Sequence, residues 1–151
     1  MKHLLIVYHS QSGSTHRLAQ AVLAGACQEE GVETRLRRAI DADVQDLLWA
    51  DAVLFGSPEN FGYLAGGLMD FLARTFYPAL PHQLSRPYAV FISAGNDGRG
   101  AVRQLERIVG GLPLRRVAEP VIVRGEVDAT GLARCEELGL TIAAGLAMGV
   151  F

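Results

Sequence analysis

Uninterrupted apolar runs predict three strands that are covered on both faces, at residues 4–8, 52–56 and 88–93. Residues 32–37 alternate between apolar and polar, which predicts a partly exposed strand. Residues 114–123 form the last predicted strand. Pro120 removes a ladder donor from it, so this strand should lie at an edge or carry a bulge.

Apolar residues at helical spacing predict a helix after each strand, at residues 14–30, 44–48, 68–74, 101–109 and from 129 onward. Gly31 is predicted to cap the first helix, and Asp70 and Arg74 have the i,i+4 spacing of a surface ion pair. Residues 75–87 are rich in proline and predict an irregular connection. Five alternations of strand and helix indicate an α/β fold: a parallel sheet with right-handed crossovers and helices on both faces.

The loop between the first strand and the first helix carries the strongest chemical signal. Residues 10–15 read Ser-Gln-Ser-Gly-Ser-Thr, so hydroxyls and backbone N–H groups can converge on one point at a helix N-terminus. Such an arrangement suits a phosphate group. The plainer interpretation is an ordinary helix N-cap. The glycine spacings of a Walker loop and of a dinucleotide fingerprint are both absent.

Two more loops follow the next buried strands. In residues 56–63, Pro58 stiffens the turn and Gly62 allows unusual backbone angles. Residues 94–100 contain three glycines, which suit either a ligand edge or a plain turn. The carboxyl ends of parallel strands share one sheet edge, so all three loops are predicted to face the same crevice.

Composition narrows the class of protein. Of the 151 residues half are hydrophobic, which suits one folded domain over residues 1–151. The formal net charge of −2 gives no electrostatic case for binding nucleic acid or an anionic membrane. No signal peptide is recognisable, and the apolar residues 142–151 are too few to span a bilayer. Cys27 and Cys135 fall on apolar helical stripes and are predicted to be buried free thiols in a reducing cytoplasm.

The first two loops resemble those of flavodoxins and related flavin oxidoreductases. Residues 10–15 fit the FMN phosphate loop Ser/Thr-x-Ser/Thr-Gly-x-Thr of that family, and residues 56–74 fit its Gly-Ser/Thr-Pro-x-x-Phe-Gly stretch. Tyr63 stands where many quinone-oxidoreductase relatives have Asn. A response-regulator receiver would need acidic residues beside the first strand, and a low-molecular-weight phosphatase would need a cysteine opening the first loop. Neither is present.

The resemblance implies a three-layer, doubly wound flavodoxin-like fold with five parallel strands in the order 2-1-3-4-5. It also implies that the first loop binds the FMN phosphate and that the flavin ring lies between the other two loops. The implied FMN-binding residues are Ser10, Gln11, Ser12, Gly13, Ser14 and Thr15 in the first loop, Pro58, Glu59, Asn60, Phe61, Gly62 and Tyr63 in the second, and Ala94, Gly95, Asn96, Asp97 and Gly98 in the third.

The side chains of the second loop also have interpretations that involve no ligand. Phe61 and Tyr63 are candidates for contact with the ring, although core packing or loop covering would also account for them. The expected role of Glu59 is that of a solvated loop acid, with a ligand contact as the alternative.

The expected function is that of an FMN-binding oxidoreductase of the cytoplasm that uses NAD(P)H to reduce a quinone or similar small acceptor. The alternative is a flavodoxin-type electron carrier with a redox partner protein, although the weak net charge argues against such a carrier. A flavin-sensing protein without turnover is a third possibility, and a homodimer or tetramer is compatible with the apolar tail.

We expect no metal and no obligatory protein acid, since surface roles suit His9, His16 and His82. Arginines at positions 35, 37, 38, 115, 116 and 124 are candidates for a nicotinamide phosphate.

Overall fold

The computed structural model describes residues 1–151 and has a seven-stranded sheet between two layers of helices. The strands are β1 (Lys2–Tyr8), β2 (Val32–Arg38), β3 (Ala52–Asn60), β4 (Tyr63–Leu64), β5 (Pro87–Ala94), β6 (Arg115–Arg116) and β7 (Val121–Arg124). The helices are α1 (Ser14–Ala26), α2 (Val44–Trp49), α3 (Gly66–Ala79), α4 (Arg99–Val109) and α5 (Ala129–Met148), with a 3₁₀ turn at Leu80–His82.

The parallel strands lie in the order β2-β1-β3-β5, and β6 and β7 both pair with the far side of β5. Counted as one interrupted fifth strand, β6 and β7 complete the predicted order 2-1-3-4-5, so the predicted fold class is confirmed. The predicted effect of Pro120 is also confirmed, because the edge strand is broken between residues 117 and 120.

Two apolar layers sandwich the sheet because alternate strand residues point to opposite faces. On one face, Leu5 and Val7 of β1 join α2, α3 and α4 in a core of 24 buried residues. On the other face, Leu4 and Ile6 join α1 and α5 in a core of 18. Both faces of the sheet are thus covered, and the carboxyl ends of the central strands remain as the edge where loops gather.

Helix α1 ends at Ala26, four residues before its predicted end. The chain tightens there, since the N–H groups of Gln28 and Glu29 bond to carbonyls three residues back. Cys27 caps the helix in place of Gly31 and is exposed, so its predicted burial is wrong. Cys135 is buried as predicted, and burial raises the pKa of its thiol to about 12.

Two other expected boundaries are wrong. Helix α3 continues through residues 75–79, predicted as an irregular connection, because Thr75 and Ala79 are buried against the core and Pro78 falls in the last turn. Strand β3 continues four residues past Gly56 and pairs with β4.

The surface pair of Asp70 and Arg74 forms as predicted, with 2.8 Å between Oδ2 and Nε. No helix has the length and apolarity needed to cross a bilayer.

Candidate functional site

The loop after β1 presents a row of free hydrogen-bond donors. None of the six backbone N–H groups from Ser10 to Thr15 donates to another protein atom. Gly13 is the N-cap of α1 with φ of 102°, and it has no side chain with which to cap the helix. The first turn contains no acidic residue that would offset the helix dipole. This loop therefore offers an electropositive concave turn with unpaired donors.

Thr15 fastens this loop to the end of β5. It is buried, and its Oγ1 lies 2.8 Å from Oγ of Ser93, the next-to-last residue of that strand. Ser10 is held from the other side, where its Oγ accepts a hydrogen bond from the His16 N–H at 3.2 Å. The hydroxyls of Ser12 and Ser14, in contrast, make no hydrogen bond within the protein and line an open cleft. The loop thus divides into structural hydroxyls and free ones.

The second predicted loop is a β-hairpin. Asn60 pairs with Tyr63 across a two-residue turn in which Phe61 and Gly62 have φ of 55° and 78°. Positive φ at both central residues is typical of a type I′ turn, where Asn or Gly is usual and an aromatic residue is strained. Phe61 is 97% exposed and Tyr63 is 60% exposed, so neither ring packs into the core. Two aromatic side chains therefore stand free at the tip of the hairpin.

Glu59 locks this hairpin onto helix α4. Its Oε1 accepts the Gly98 N–H at 2.9 Å and its Oε2 accepts the Ala101 N–H at 3.2 Å, at the positive end of the helix. Gly100 allows the close approach, because a Cβ there would lie 2.1 Å from the Gly62 carbonyl oxygen. The interpretation of Glu59 as a solvated loop acid is therefore wrong: the carboxylate is half-buried and joins the second loop to the third.

The third loop divides between two surfaces. Ala94 and Gly95 line the cleft beside Ser12 and Ser14. Asp97 turns the other way, and its hydrogen bond to Arg99 lowers the pKa of its carboxyl. Asn96 is exposed and lines neither this cleft nor its neighbour, and Gly98 is the buried N-cap of α4 with φ of 87°.

A cleft of about 480 Å³ opens where these loops meet. It is lined by Ser12, Ser14, Pro58, Glu59, Ser93, Ala94, Gly95, Gly125 and Glu126. Sequence reasoning missed Ser93, Gly125 and Glu126. The last two follow β7, so the rule that ligands bind beyond the carboxyl ends of parallel strands could have pointed to them.

A second cleft of about 460 Å³ lies on the other side of the hairpin. Gln11, Asn60, Phe61 and Tyr63 line it, together with His9, Leu64, Gly66 and Gly67. The amide of Asn60 donates to Oε1 of Gln11 at 2.7 Å and so connects the hairpin to the first loop. Thus the structure brings most of the predicted site residues to one sheet edge, in two adjoining clefts.

Of the three histidines considered, only His9 lines a cleft. Burial, with a smaller effect from Arg38, lowers the pKa of its imidazole and so favours the neutral form. His16 contacts the Tyr8 hydroxyl, with 2.7 Å between Oη and Nδ1. His82 lies beyond the far end of α3, away from the site edge. No group of three or more His, Cys, Asp or Glu side chains is arranged to bind a metal ion.

A doubly wound sheet with a donor-rich loop at its switch point is typical of α/β proteins that bind a nucleotide there. A model of the flavodoxin domain matches residues 5–138, and the chain belongs to this family, whose cofactor is FMN. The free donors of the first loop and the open cleft beside them fit a cofactor that carries a phosphate group.

Two curated relatives show the range of the family. The chain is 38% identical to the flavodoxin of Aquifex aeolicus over 65 residues, covering 43% of this chain and 35% of the relative. It is 35% identical to the NAD(P)H dehydrogenase (quinone) of Geotalea daltonii over 96 aligned residues, covering 48% of this chain and 47% of the relative. The matched region thus spans less than half the length of either relative.

Solved structures agree on the fold. The flavodoxin, WrbA-like protein of Agrobacterium tumefaciens superposes with a TM-score of 0.81 over 99% of both chains, at 22% identity. The relatives and the fold together support an FMN-type oxidoreductase or electron carrier.

Proposed function

We propose that this protein is an FMN-dependent oxidoreductase that passes electrons from NAD(P)H to a quinone or similar small acceptor. The observation that carries the proposal is the row of six unpaired N–H groups from Ser10 to Thr15, at the edge where three further loops converge. The relative named NAD(P)H dehydrogenase (quinone) supports the choice of reductant and acceptor.

The first loop would hold the FMN phosphate. A phosphate dianion can accept hydrogen bonds from the free N–H groups and from the hydroxyls of Ser12 and Ser14, and the α1 dipole adds further attraction. Thr15 would act indirectly, because its hydroxyl is engaged with Ser93 and fixes the loop in place. Charge-assisted hydrogen bonds of this kind contribute about 1.5–3 kcal/mol each.

The hairpin and the third loop would hold the ring. Phe61 and Tyr63 present unpaired aromatic faces, and the Ala94–Gly95 backbone borders the adjoining cleft. Contact with an aromatic side chain would add about 0.5–1.5 kcal/mol beyond area burial. When bound, FMN supplies the redox chemistry, accepting two electrons from the nicotinamide and delivering them to the acceptor.

Proton supply requires no dedicated side chain. The hydride from NAD(P)H carries two electrons and one hydrogen, so reduction of a quinone to a quinol takes one further proton, which water can deliver through the open cleft. Glu59 is occupied by two backbone N–H groups, and burial lowers the pKa of the His9 imidazole and so disfavours its acid form. The chain therefore positions the cofactor and leaves the acceptor side open.

The second candidate is an electron carrier, and the match to the Aquifex aeolicus flavodoxin favours it. A carrier of that kind steers its partner with a dense charge of one sign. The site edge here is mixed, with Glu126 in the cleft and Arg99 and Arg124 beside it, and the net charge is only −2.

The test is anaerobic mixing of the FMN-loaded protein with NADPH or NADH, followed by a benzoquinone. We expect the flavin absorbance near its visible maximum to bleach within the mixing experiment and to return when the quinone is added. If neither nucleotide bleaches the flavin, and dithionite titration builds a long-lived one-electron state, the carrier is the correct assignment.

The phosphate anchor is tested separately by combining Ser12→Ala with Thr15→Val. We expect FMN binding, followed by flavin fluorescence, to weaken at least about tenfold, since about 1.4 kcal/mol of lost hydrogen bonding gives that factor. The matched control combines Ser85→Ala with Thr130→Val, two exposed positions outside both clefts. Equal affinity in the two double variants would refute the anchor.

A further inference from the structure

Four arginines line a groove of about 350 Å³ next to the cleft lined by Ser12, Ser14 and Gly125, hereafter the flavin cleft. We propose that this arginine groove, formed by Arg99, Arg103, Arg116 and Arg124, binds the 2′-phosphate end of NADPH and makes it the preferred reductant. The inference rests on the proposed function and specifies its reductant.

The groove and the flavin cleft share their border. Arg99 begins helix α4, directly after the third loop, and Arg124 precedes Gly125, which lines the flavin cleft. Asp97 joins the two arginines: its Oδ1 lies 2.6 Å from Arg99 Nε and 3.8 Å from an Arg124 guanidinium nitrogen. One extended ligand can therefore place its reactive end at the flavin and its other end in the groove while it stays in contact with the protein.

The groove is long enough for the adenosine 2′-phosphate end of a dinucleotide. It follows α4 from Arg99 to Glu106, seven residues or about 10 Å at 1.5 Å per residue. Arg116 lies at the far end, where it pairs with Glu106. Val102, Pro120 and Ile122 contribute apolar surface between the two ends, on which a purine could rest.

The break in the edge strand forms the outer wall. The Val117 N–H still bonds to the Tyr88 carbonyl, but Pro120 cannot donate to the ladder, and residues 118–120 leave the sheet before β7. Arg116 lies directly before this break and Glu119 lies within it, and both line the groove beside α4. The local interruption that the sequence predicts thus opens a groove at the sheet edge.

The charge of the groove favours a phosphate. Its lining contains four arginines and two glutamates, Glu106 and Glu119, and Asp97 pairs with Arg99 and Arg124 at its border, which leaves one net positive charge in a chain of net charge −2. Arg103 forms no ion pair and is exposed, and the Arg116 guanidinium lies 3.9 Å from Glu119 in its second, looser contact. Guanidinium groups bind phosphate oxygens in a two-pronged geometry, so a phosphate monoester can take the free donors of these two residues.

The structure gives different places to the arginines that the sequence suggested as candidates for a nicotinamide phosphate. Arg35 and Arg37 pair with Asp46 beside α2. Arg116 and Arg124 lie in the groove as candidates for the phosphate. Arg99 and Arg103 carried no signal along the chain, because their side chains reach the groove only through the packing of α4 beside the broken strand.

The experiment measures binding of adenosine 2′,5′-bisphosphate and of 5′-AMP to the FMN-loaded protein by isothermal titration calorimetry. We expect the bisphosphate to bind about tenfold tighter than 5′-AMP, and Arg103→Gln to remove that difference. Arg107→Gln is the matched control, an exposed arginine on the same helix that does not line the groove. Stopped-flow reduction should show a correspondingly higher KM for NADPH in Arg103→Gln and an unchanged KM for NADH.

Equal binding of the two nucleotides, or equal effects of Arg103→Gln and Arg107→Gln, would overturn the groove assignment. Flavin reduction by NADH and NADPH with equal KM would also overturn it, and the proposed function would stand. Absence of flavin reduction by either nucleotide would instead refute the proposed function. The two failures are distinguishable because calorimetry measures nucleotide binding to the groove without any flavin reduction.

Discussion

At the scale of single residues, Glu59 shows how the site is held together. Its two carboxylate oxygens accept N–H groups of Gly98 and Ala101, so the hairpin that carries Phe61 cannot move without uncapping α4. Sequence reasoning found the hydroxyl loop because Ser10 to Thr15 are adjacent along the chain. It missed the role of Glu59 because the donors are about forty residues away and become neighbours only in the fold.

Replacing Glu59 by Gln tests this lock. Loss of the charge and of one acceptor oxygen should lower the free energy of unfolding of the apoprotein by about 1–2 kcal/mol and also weaken FMN binding. Urea unfolding and flavin fluorescence titration give the two values. Glu30→Gln, at an exposed position without a hydrogen bond, should change neither, and a silent Glu59→Gln would contradict the assigned role.

Phe61 is the residue where local energetics and function conflict. Its φ of 55° suits Asn or Gly, yet an almost fully exposed aromatic ring occupies the position. Strain of this kind persists at sites where it serves a purpose. Contact with the flavin ring would supply one.

We therefore expect Phe61→Asn to stabilise the apoprotein by roughly 0.5–1 kcal/mol while it weakens FMN binding severalfold. Thermal unfolding of the apoprotein and fluorescence titration measure the two effects. Gln83→Asn relieves the same kind of backbone strain at φ of 45° outside both clefts, and should stabilise without affecting FMN. Unchanged FMN affinity in Phe61→Asn would remove Phe61 from the ring site.

At the scale of elements, the pairing of α1 with α5 shows what sequence patterns leave out. Gly25 faces the Glu136 carbonyl and Gly139 faces the Val22 carbonyl, so the two helices cross at backbone contact distance. The helical periodicity predicted both helices, but nothing in it indicated that these glycines set their spacing. Such packing in turn fixes where α1, and with it the first loop, lies on the sheet.

Gly139→Ala should destabilise the protein by about 1–3 kcal/mol despite the better helix propensity of alanine, because its Cβ would lie 2.0 Å from the Val22 carbonyl oxygen. Gly66→Ala is the control: it also lies in a helix, but a Cβ there meets nothing within 4 Å. Urea unfolding of the two variants should move in opposite directions. A stabilised Gly139→Ala would contradict the close helix crossing.

The central strands were predictable because a short apolar run without alternation, bounded by turn residues, is typical of a strand covered on both faces. The β3–β4 hairpin was not, since a two-residue strand leaves only the Phe61–Gly62 turn as a signal. The end of α3 was misjudged because Pro78 is a local helix breaker, whereas burial of Thr75 and Ala79 is a property of the whole fold.

At the scale of the whole molecule, the parallel order of the sheet brings four loops, after β1, β3, β5 and β7, to one edge. Each loop alone could be an ordinary turn, and their convergence is what defines a ligand site. A ligand that bridges them should stabilise the native state by mass action, by about 2.7 kcal/mol at a hundredfold excess over its dissociation constant.

The central claim is that a phosphate group is bound where β1 gives way to α1. Titrating the apoprotein with FMN and with riboflavin, followed by flavin fluorescence, compares two ligands that differ only in that group. We expect FMN to bind one per chain and at least about a hundredfold tighter than riboflavin, equivalent to about 2.7 kcal/mol. Equal affinities for the two flavins, or binding of neither, would contradict the account.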